Sequence, residues 1–219
     1  MEQTSSSINL PDRVWFRHCL SEGELLELEA AISFDPNVPG KRLSVSELPS
    51  VPLKKLNEVA RRVLSNAKPV RAVSFEKNAD TNWAVPWHQD LVVAVQDRFE
   101  LQGFKSWTRK SGVWHVQPPL KFLERMIFLR VWLDKTDSRS GDLEVVPGSH
   151  YKGIVDPKSA AGIANSSGIE VLTGDRGDVL AVTALTIHRS QSTGRDARRR
   201  AVRIDYCADE LPAPLKWAN

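Results

Sequence analysis

Apolar positions in the first third of the chain recur with helical spacing. From Ser21 to Phe34, Leu25, Leu26, Leu28, Ala31 and Ile32 gather on roughly one face, and the segment opens with Ser-Glu-Gly-Glu, the spacing of a capping box. This predicts a helix. A second helix is expected from Pro52, a residue suited to the first helical turn. Leu53, Leu56, Val59, Ala60, Val63 and Leu64 form its apolar face against Lys54, Lys55, Arg61 and Arg62.

From Val70 onward the period shortens. Runs rich in β-branched and aromatic residues predict strands at Val70 to Lys77, Leu91 to Val95, Met126 to Leu133, Leu143 to Val146, Glu170 to Leu172, Val179 to Ile187 and Arg199 to Tyr206. Helices followed by many short strands are the order of an all-β sandwich or barrel with helices outside it. Between Gln96 and Leu123 the chain carries charges, Trp107, Trp114 and the pair Pro118-Pro119, and is too long for an ordinary connection. A functional or disordered loop is the expectation there. No internal repeat is visible. The organisation expected is one domain over 1–219, with a helical part at about 1–69, a barrel at about 70–207 and a lid-like insertion at about 96–123.

Composition narrows the partners. A chain of 219 residues with 41% apolar content supports one sizeable core. The formal charge is only +3 and the basic residues concentrate between Arg195 and Arg203, so nucleic-acid binding is not indicated. No basic-then-apolar leader and no run of membrane-spanning length is seen, so a cytoplasmic protein without a membrane partner is expected. Cys19 and Cys207 stand outside any Cys-x-x-Cys pair and are expected as reduced thiols. Nothing in the chain signals an oligomeric state.

The candidate chemistry starts at His88-Gln89-Asp90, where two ligands separated by one residue point to the same side of an extended chain. His188, at the end of the apolar run Val179 to Ile187, is a third candidate. Two imidazoles and one carboxylate leave about three coordination positions open, the arrangement used by non-heme iron(II) oxygenases. Taken alone, a His-x-Asp tripeptide is common and a strand-end histidine is often only hydrogen-bonded. The same ligands also serve zinc hydrolases, although no HExxH helix accompanies them. A cupin-type barrel that binds a metal or small ligand without oxygen chemistry is the other reading.

In order along the chain come Trp87-His88-Gln89-Asp90, Gly141 to His150 (GDLEVVPGSH), Gly177-Asp178-Val179, His188-Arg189-Ser190, Arg198-Arg199-Arg200 and Tyr206. Together they resemble the phytanoyl-CoA dioxygenase-like family of iron(II)- and 2-oxoglutarate-dependent oxygenases, over about Val70 to Tyr206. The resemblance implies a mainly β protein with N-terminal helices, built on a double-stranded β-helix, the jelly roll or cupin-like barrel. It implies that His88, Asp90 and His188 hold iron(II). It further implies that Arg199, eleven residues after His188, binds the C5 carboxylate of 2-oxoglutarate, which a guanidinium fork suits. Ser190 would touch the same carboxylate, or else satisfy its own turn. The implied reaction consumes O2 and hydroxylates an unactivated C–H bond of a small molecule, releasing succinate and CO2. Related halogenating enzymes replace the carboxylate ligand by a small residue, so Asp90 favours hydroxylation; desaturation, ring closure and dealkylation use the same ligands.

Other residues are harder to assign. Strand alternation puts Arg199, Ala201, Arg203 and Asp205 on one face, so Arg203 either pairs with Asp205 or reaches an anionic group of the substrate. Trp107 and His115 are candidate substrate contacts from the long stretch, with an exposed loop position as the alternative for His115. The aromatic and basic mixture around them suits a small anionic or amphipathic substrate. His150 belongs to the turn at Pro147-Gly148 and is not expected to ligate a metal. Trp83, Trp87 and Trp132 are expected in or near the core, and Gln89 should point away from its neighbours. No spacing selects Lys77 or Asn82 for a role.

Overall fold

The computed structural model describes residues 9–32, 34, 40–78, 82–137, 140, 142–193 and 198–218. Gly141 and Arg195, which fall in the motifs above, lie outside the described residues. The N-terminal part holds strand β1 (Arg13–Phe16), helix α1 (Glu22–Ala31), strand β2 (Gly40–Leu43) and helix α2 (Ser50–Val63). Ser21 caps α1. Its hydroxyl accepts from the Glu24 N–H, and the Glu24 carboxylate accepts from the Ser21 N–H at 2.8 Å. The helix stops at Ala31 because Ile32 is already extended, short of the expected end at Phe34. Helix α2 starts at Ser50, earlier than expected, and Pro52 sits in its first turn, where a missing N–H costs nothing.

The rest of the chain forms β3 (Lys68–Lys77), β4 (Val85–His88), β5 (Val93–Val95), β6 (Lys105–Lys110), β7 (Val113–Gln117), helix α3 (Leu120–Leu123) and β8 (Met126–Trp132). After these come β9 (Leu143–Val145), helix α4 (Ala160–Ser167), β10 (Glu170–Leu172), β11 (Val179–Thr183), β12 (His188–Ser190) and β13 (Arg199–Cys207). All ladders are antiparallel. A six-stranded sheet in the order β1-β11-β8-β13-β3-β2 faces a four-stranded sheet in the order β10-β9-β12-β4. This is the mainly β jelly-roll architecture expected, with α1 and α2 packed outside the larger sheet and α4 against the smaller one.

Period-two alternation sorts each central strand. On β8, Phe128 and Trp132 pack between the sheets against Leu143, Val145, Leu172, Leu180 and Val182. Ile127, Leu129 and Val131 point the other way, beneath Leu25 and Leu28 of α1 and Leu56 and Val59 of α2. Each such buried aliphatic side chain contributes roughly 1.5–3 kcal/mol. On β13, Val202, Ile204 and Tyr206 join the helix side of the core while Arg199 and Arg203 face the space between the sheets.

Two segments differ from expectation. The run Val179 to Ile187 is not one strand, because β11 ends at Thr183 and a turn closed by Thr186 N–H to Thr183 O at 3.1 Å carries the chain into the other sheet as β12. The 96–123 stretch is not an unstructured loop either. Ser111 (φ 47°) and Gly112 (φ 81°) make a two-residue turn joining β6 to β7, and β7 pairs with β5 in a third sheet. Strands β1, β2, β4, β6, β7 and β12 and helices α3 and α4 lie outside the predicted elements. Both cysteines are free, and no helix of the described residues is long and apolar enough to cross a membrane.

Candidate metal centre

Strand β12 pairs with β4 so that His188 stands directly opposite His88. Asp90, two residues past His88, is held by its own N–H, which donates to the Ala184 carbonyl at 3.0 Å. One ligand atom from each of His88, Asp90 and His188 lies within 4.8 Å of the others, the one such cluster of three among the described residues. The imidazole centroids are 4.3 Å apart, and His188 Nε2 is 3.5 Å from Asp90 Oδ2. His88 Nδ1 lies 2.8 Å from the Pro86 carbonyl and His188 Nδ1 2.9 Å from the Thr186 carbonyl. A carbonyl only accepts, so each Nδ1 carries the proton and each Nε2 keeps its lone pair for an ion.

Charge agrees with that geometry. Burial, reinforced by repulsion from His88 and Arg203 and opposed by Asp90, pushes His188 down to about 4. Burial alone would raise the Asp90 carboxyl, but the Arg203 guanidinium holds it well below the usual carboxylate range. Metal ligands must be deprotonated to bind, so a neutral His188 imidazole beside an ionised Asp90 carboxylate fits a divalent cation.

Neighbouring side chains fix the ligands. Gln89 turns away from its neighbours, as expected, donating to the carbonyls of Gly153 at 2.8 Å and Leu185 at 2.7 Å and accepting from Val155 N–H. Arg203 does pair with Asp205, Nε to Oδ1 at 2.6 Å, but its Nη2 also reaches Asp90 Oδ2 at 2.8 Å. Its guanidinium lies 4.1 Å over the Phe128 ring, which in turn packs 5.4 Å from the His188 ring.

A cavity of about 230 Å³ extends from the triad to a cationic floor. Arg199 is 3% exposed, and the β13–β3 register sets Lys77, 1% exposed, directly opposite it. Ser190 Oγ accepts from Lys77 Nζ at 2.8 Å and from Arg199 Nη2 at 3.3 Å. Arg130, also buried, donates to Asp142 at 2.9 Å, and Asp142 lies 3.5 Å from Arg199 as well. Burial first, then Arg199 and Arg130, push Lys77 down to about 7. Burial and Arg130 likewise lower Arg199, to about 9. Three buried cations around one carboxylate make a place for a further anion.

The sequence reading names Lys77 without giving it a role and does not single out Arg130. Their signal is register, since Lys77 faces Arg199 across β3 and β13 and Arg130 faces Arg203 across β8 and β13. Trp83 lines the cavity with Lys77 Nζ 4.9 Å from its ring, whereas Trp87 and Trp132 pack in apolar clusters. Trp107 and His115, read as substrate contacts, do not line this cavity. Trp107 packs edge-on against Trp114 at 6.3 Å, and His115 is buried on β7 with Nδ1 donating to Val113 O, because the segment folds as a hairpin. His150 lies apart from the triad, its Nε2 donating to the Leu10 carbonyl at 3.1 Å.

Facing antiparallel sheets that bring a His-x-Asp pair and a distal histidine to one cavity define the jelly-roll class of 2-oxoglutarate-dependent non-heme oxygenases. The chain belongs to the phytanoyl-CoA dioxygenase (PhyH) family, which residues 21–201 match. EctD from S. alaskensis with 2-oxoglutarate and 5-hydroxyectoine superposes with a TM-score of 0.65 at 18% identity, covering 92% of this chain and 74% of that one. The non-heme α-ketoglutarate-dependent carbocyclase SnoK from nogalamycin biosynthesis gives 0.66 at 14% identity over 93% and 82%. HygX from Streptomyces hygroscopicus with nickel, 2-oxoglutarate and hygromycin B gives 0.58 at 16% identity over 91% and 84%. No curated protein matches the sequence. At these identities the solved structures establish likeness of fold.

Proposed function

We propose that the protein is an iron(II)- and 2-oxoglutarate-dependent oxygenase that hydroxylates an unactivated C–H bond of a small molecule, with His88, Asp90 and His188 as the metal ligands. The observation that carries this reading is one cavity holding both the triad and the buried floor of Arg199, Lys77 and Ser190. A barrel that held only a metal would have no use for that floor. Iron at the triad would supply the oxygen chemistry that no amino-acid side chain provides.

The chain's own residues do the rest. The Arg199 fork takes the C5 carboxylate of 2-oxoglutarate, with Ser190 and Lys77 donating to the same group. The two imidazoles would offer Nε2 and Asp90 its carboxylate to the ion, while Arg203 holds that carboxylate in place through Oδ2. Phe75, Trp83, Val85, Phe128 and Leu143 wall the cavity and limit water around the reacting centre. The overall change is substrate plus O2 plus 2-oxoglutarate to hydroxylated substrate plus succinate plus CO2, which requires no general base. That the EctD and HygX structures contain 2-oxoglutarate on the same fold supports the cosubstrate.

The test is succinate formation from 2-oxoglutarate by purified protein, with and without iron(II), across a library of small molecules. Iron-dependent succinate matched by a product heavier by one oxygen is expected. Folded, iron-loaded protein that forms no succinate with any compound contradicts the proposal.

A further inference from the structure

Basic side chains line both ends of the cavity. Among the described residues these are Arg71, Lys77, Arg130, Arg189, Arg199 and Arg203, and carboxylates paired with them are Asp90, Asp142, Glu144 and Asp205. Asp142 lies with Arg130 and Arg199, Glu144 with Arg189, and Asp205 with both Arg203 and Arg71.

These groups hold different positions along the cavity. Side chains of β3 that face inward recur every ~7 Å, two residues at a time. On the β3–β13 ladder Lys77 faces Arg199, Val73 faces Arg203, and Arg71 faces Asp205. Arg203 is the residue that touches Asp90, so the metal level lies between Lys77 on one side and Arg71 on the other. The Lys77 end is committed to 2-oxoglutarate. The Arg71 side chain, at the opposite end, makes no hydrogen bond among the described residues. Its ion pair with Asp205 Oδ2 is long at 3.5 Å, the other Asp205 oxygen being held by Arg203 at 2.6 Å. With 30% of its side chain exposed, Arg71 is open to a ligand entering the cavity.

We propose that Arg71 is the specificity-determining residue of the site and that the substrate is a small organic anion whose carboxylate or phosphate pairs with it. The apolar body of that molecule lies along Phe75 and Phe128, which presents a carbon about 7 Å from the anionic group, one inward step along β3, to the metal level. This rests on the oxygenase reading above. It departs from the sequence expectation by placing anion selection on β3 rather than on the 96–123 segment.

The experiment is an anaerobic titration of the iron(II)–2-oxoglutarate protein, followed by its visible absorption band and by thermal melting. The probes are octanoate, 3-phenylpropionate and hexyl phosphate, their methyl esters, and the amines of matching length. The wild type is expected to bind at least one acid or phosphate ten-fold or more tightly than its ester or amine, and the carboxylate and phosphate arms identify the preferred head group. Arg71→Gln is expected to remove that preference, Arg71→Lys to keep part of it, and Arg71→Glu to reverse it toward amines. The inference is overturned if no anion perturbs the wild-type band, if esters or amines bind as well as acids, or if Arg71→Glu still prefers acids. A wild type that shows no band at all overturns the oxygenase reading together with it, whereas a normal band without anion preference overturns only the role of Arg71.

Discussion

Arg203 joins Asp90 to Asp205, with Nη2 2.8 Å from Asp90 Oδ2 and Nε 2.6 Å from Asp205 Oδ1. One guanidinium thus bridges two carboxylates and offsets one of their two negative charges. Arg203→Met should destabilise the metal-free protein by roughly 3 kcal/mol, since breaking a largely buried pair strands its partners. A divalent cation would then take over as the partner of Asp90. The rise in Tm on adding cobalt(II) or iron(II) should therefore be larger in Arg203→Met than in the wild type. Equal metal-induced rises in the two proteins would count against this role.

Arg199→Ala removes the fork at the cavity floor. Losing a hydrogen bond to a charged group costs about 1.5–3 kcal/mol. The affinity for 2-oxoglutarate should fall by roughly ten- to a hundred-fold, while metal affinity, measured by calorimetry, stays within about two-fold because Arg199 touches no ligand of the triad. Unchanged 2-oxoglutarate affinity would place the cosubstrate elsewhere.

Lys77 supplies a pH signature. Its ammonium is pushed down to about 7 from an ordinary 10.5, so between these values the unfolded chain holds a proton that the folded protein has released. Stability of the ligand-free protein from this group therefore rises with pH across that window and is lost as pH falls through about 7. Binding of a dianion restores the proton. Calorimetry at pH 8 in two buffers of different ionisation enthalpy should show proton uptake of up to about one per 2-oxoglutarate, abolished in Lys77→Met. Proton release by the wild type would contradict the assignment.

Asp142 is the carboxylate set among Lys77, Arg130 and Arg199, and it also accepts from Trp132 Nε1 at 3.0 Å and Leu143 N–H at 2.9 Å. Asp142→Asn leaves three buried cations without it and should cost about 3–5 kcal/mol in urea unfolding. Saturating 2-oxoglutarate should recover more stability in the variant than in the wild type. A loss under about 1 kcal/mol would show that the cations are neutralised by other means.

Much of the site is legible in local pattern. The His-x-Asp spacing puts two ligands on one side of the chain, and alternation on β13 turns Arg199 and Arg203 inward while Val202, Ile204 and Tyr206 meet the helices. The capping box at Ser21 and Glu24 forms as its spacing predicts. What pattern does not carry is register and crossover. The apolar run Val179 to Ile187 contains no Gly or Pro to mark where the chain changes sheets, so the turn after Thr183 is invisible until the Thr183–Thr186 contact is seen. Lys77 and Arg130 become part of the site only through their partners across β13. The β6–β7 hairpin has a readable Ser-Gly turn, but β6 (KSWTRK) is almost wholly exposed and polar and so lacks the alternation that marks a strand. Composition alone therefore drew Trp107 and His115 toward the substrate, and the topology places them in a separate small sheet.

The most direct measurement is anaerobic visible absorption of the iron(II) protein before and after 2-oxoglutarate, with Arg199→Ala beside the wild type. A weak metal-to-ligand band should appear in the wild type on adding 2-oxoglutarate and be reduced in the variant at the same concentration. A folded, iron-loaded wild type that develops no band would contradict the oxygenase assignment and leave the triad as a metal-binding site without this cosubstrate.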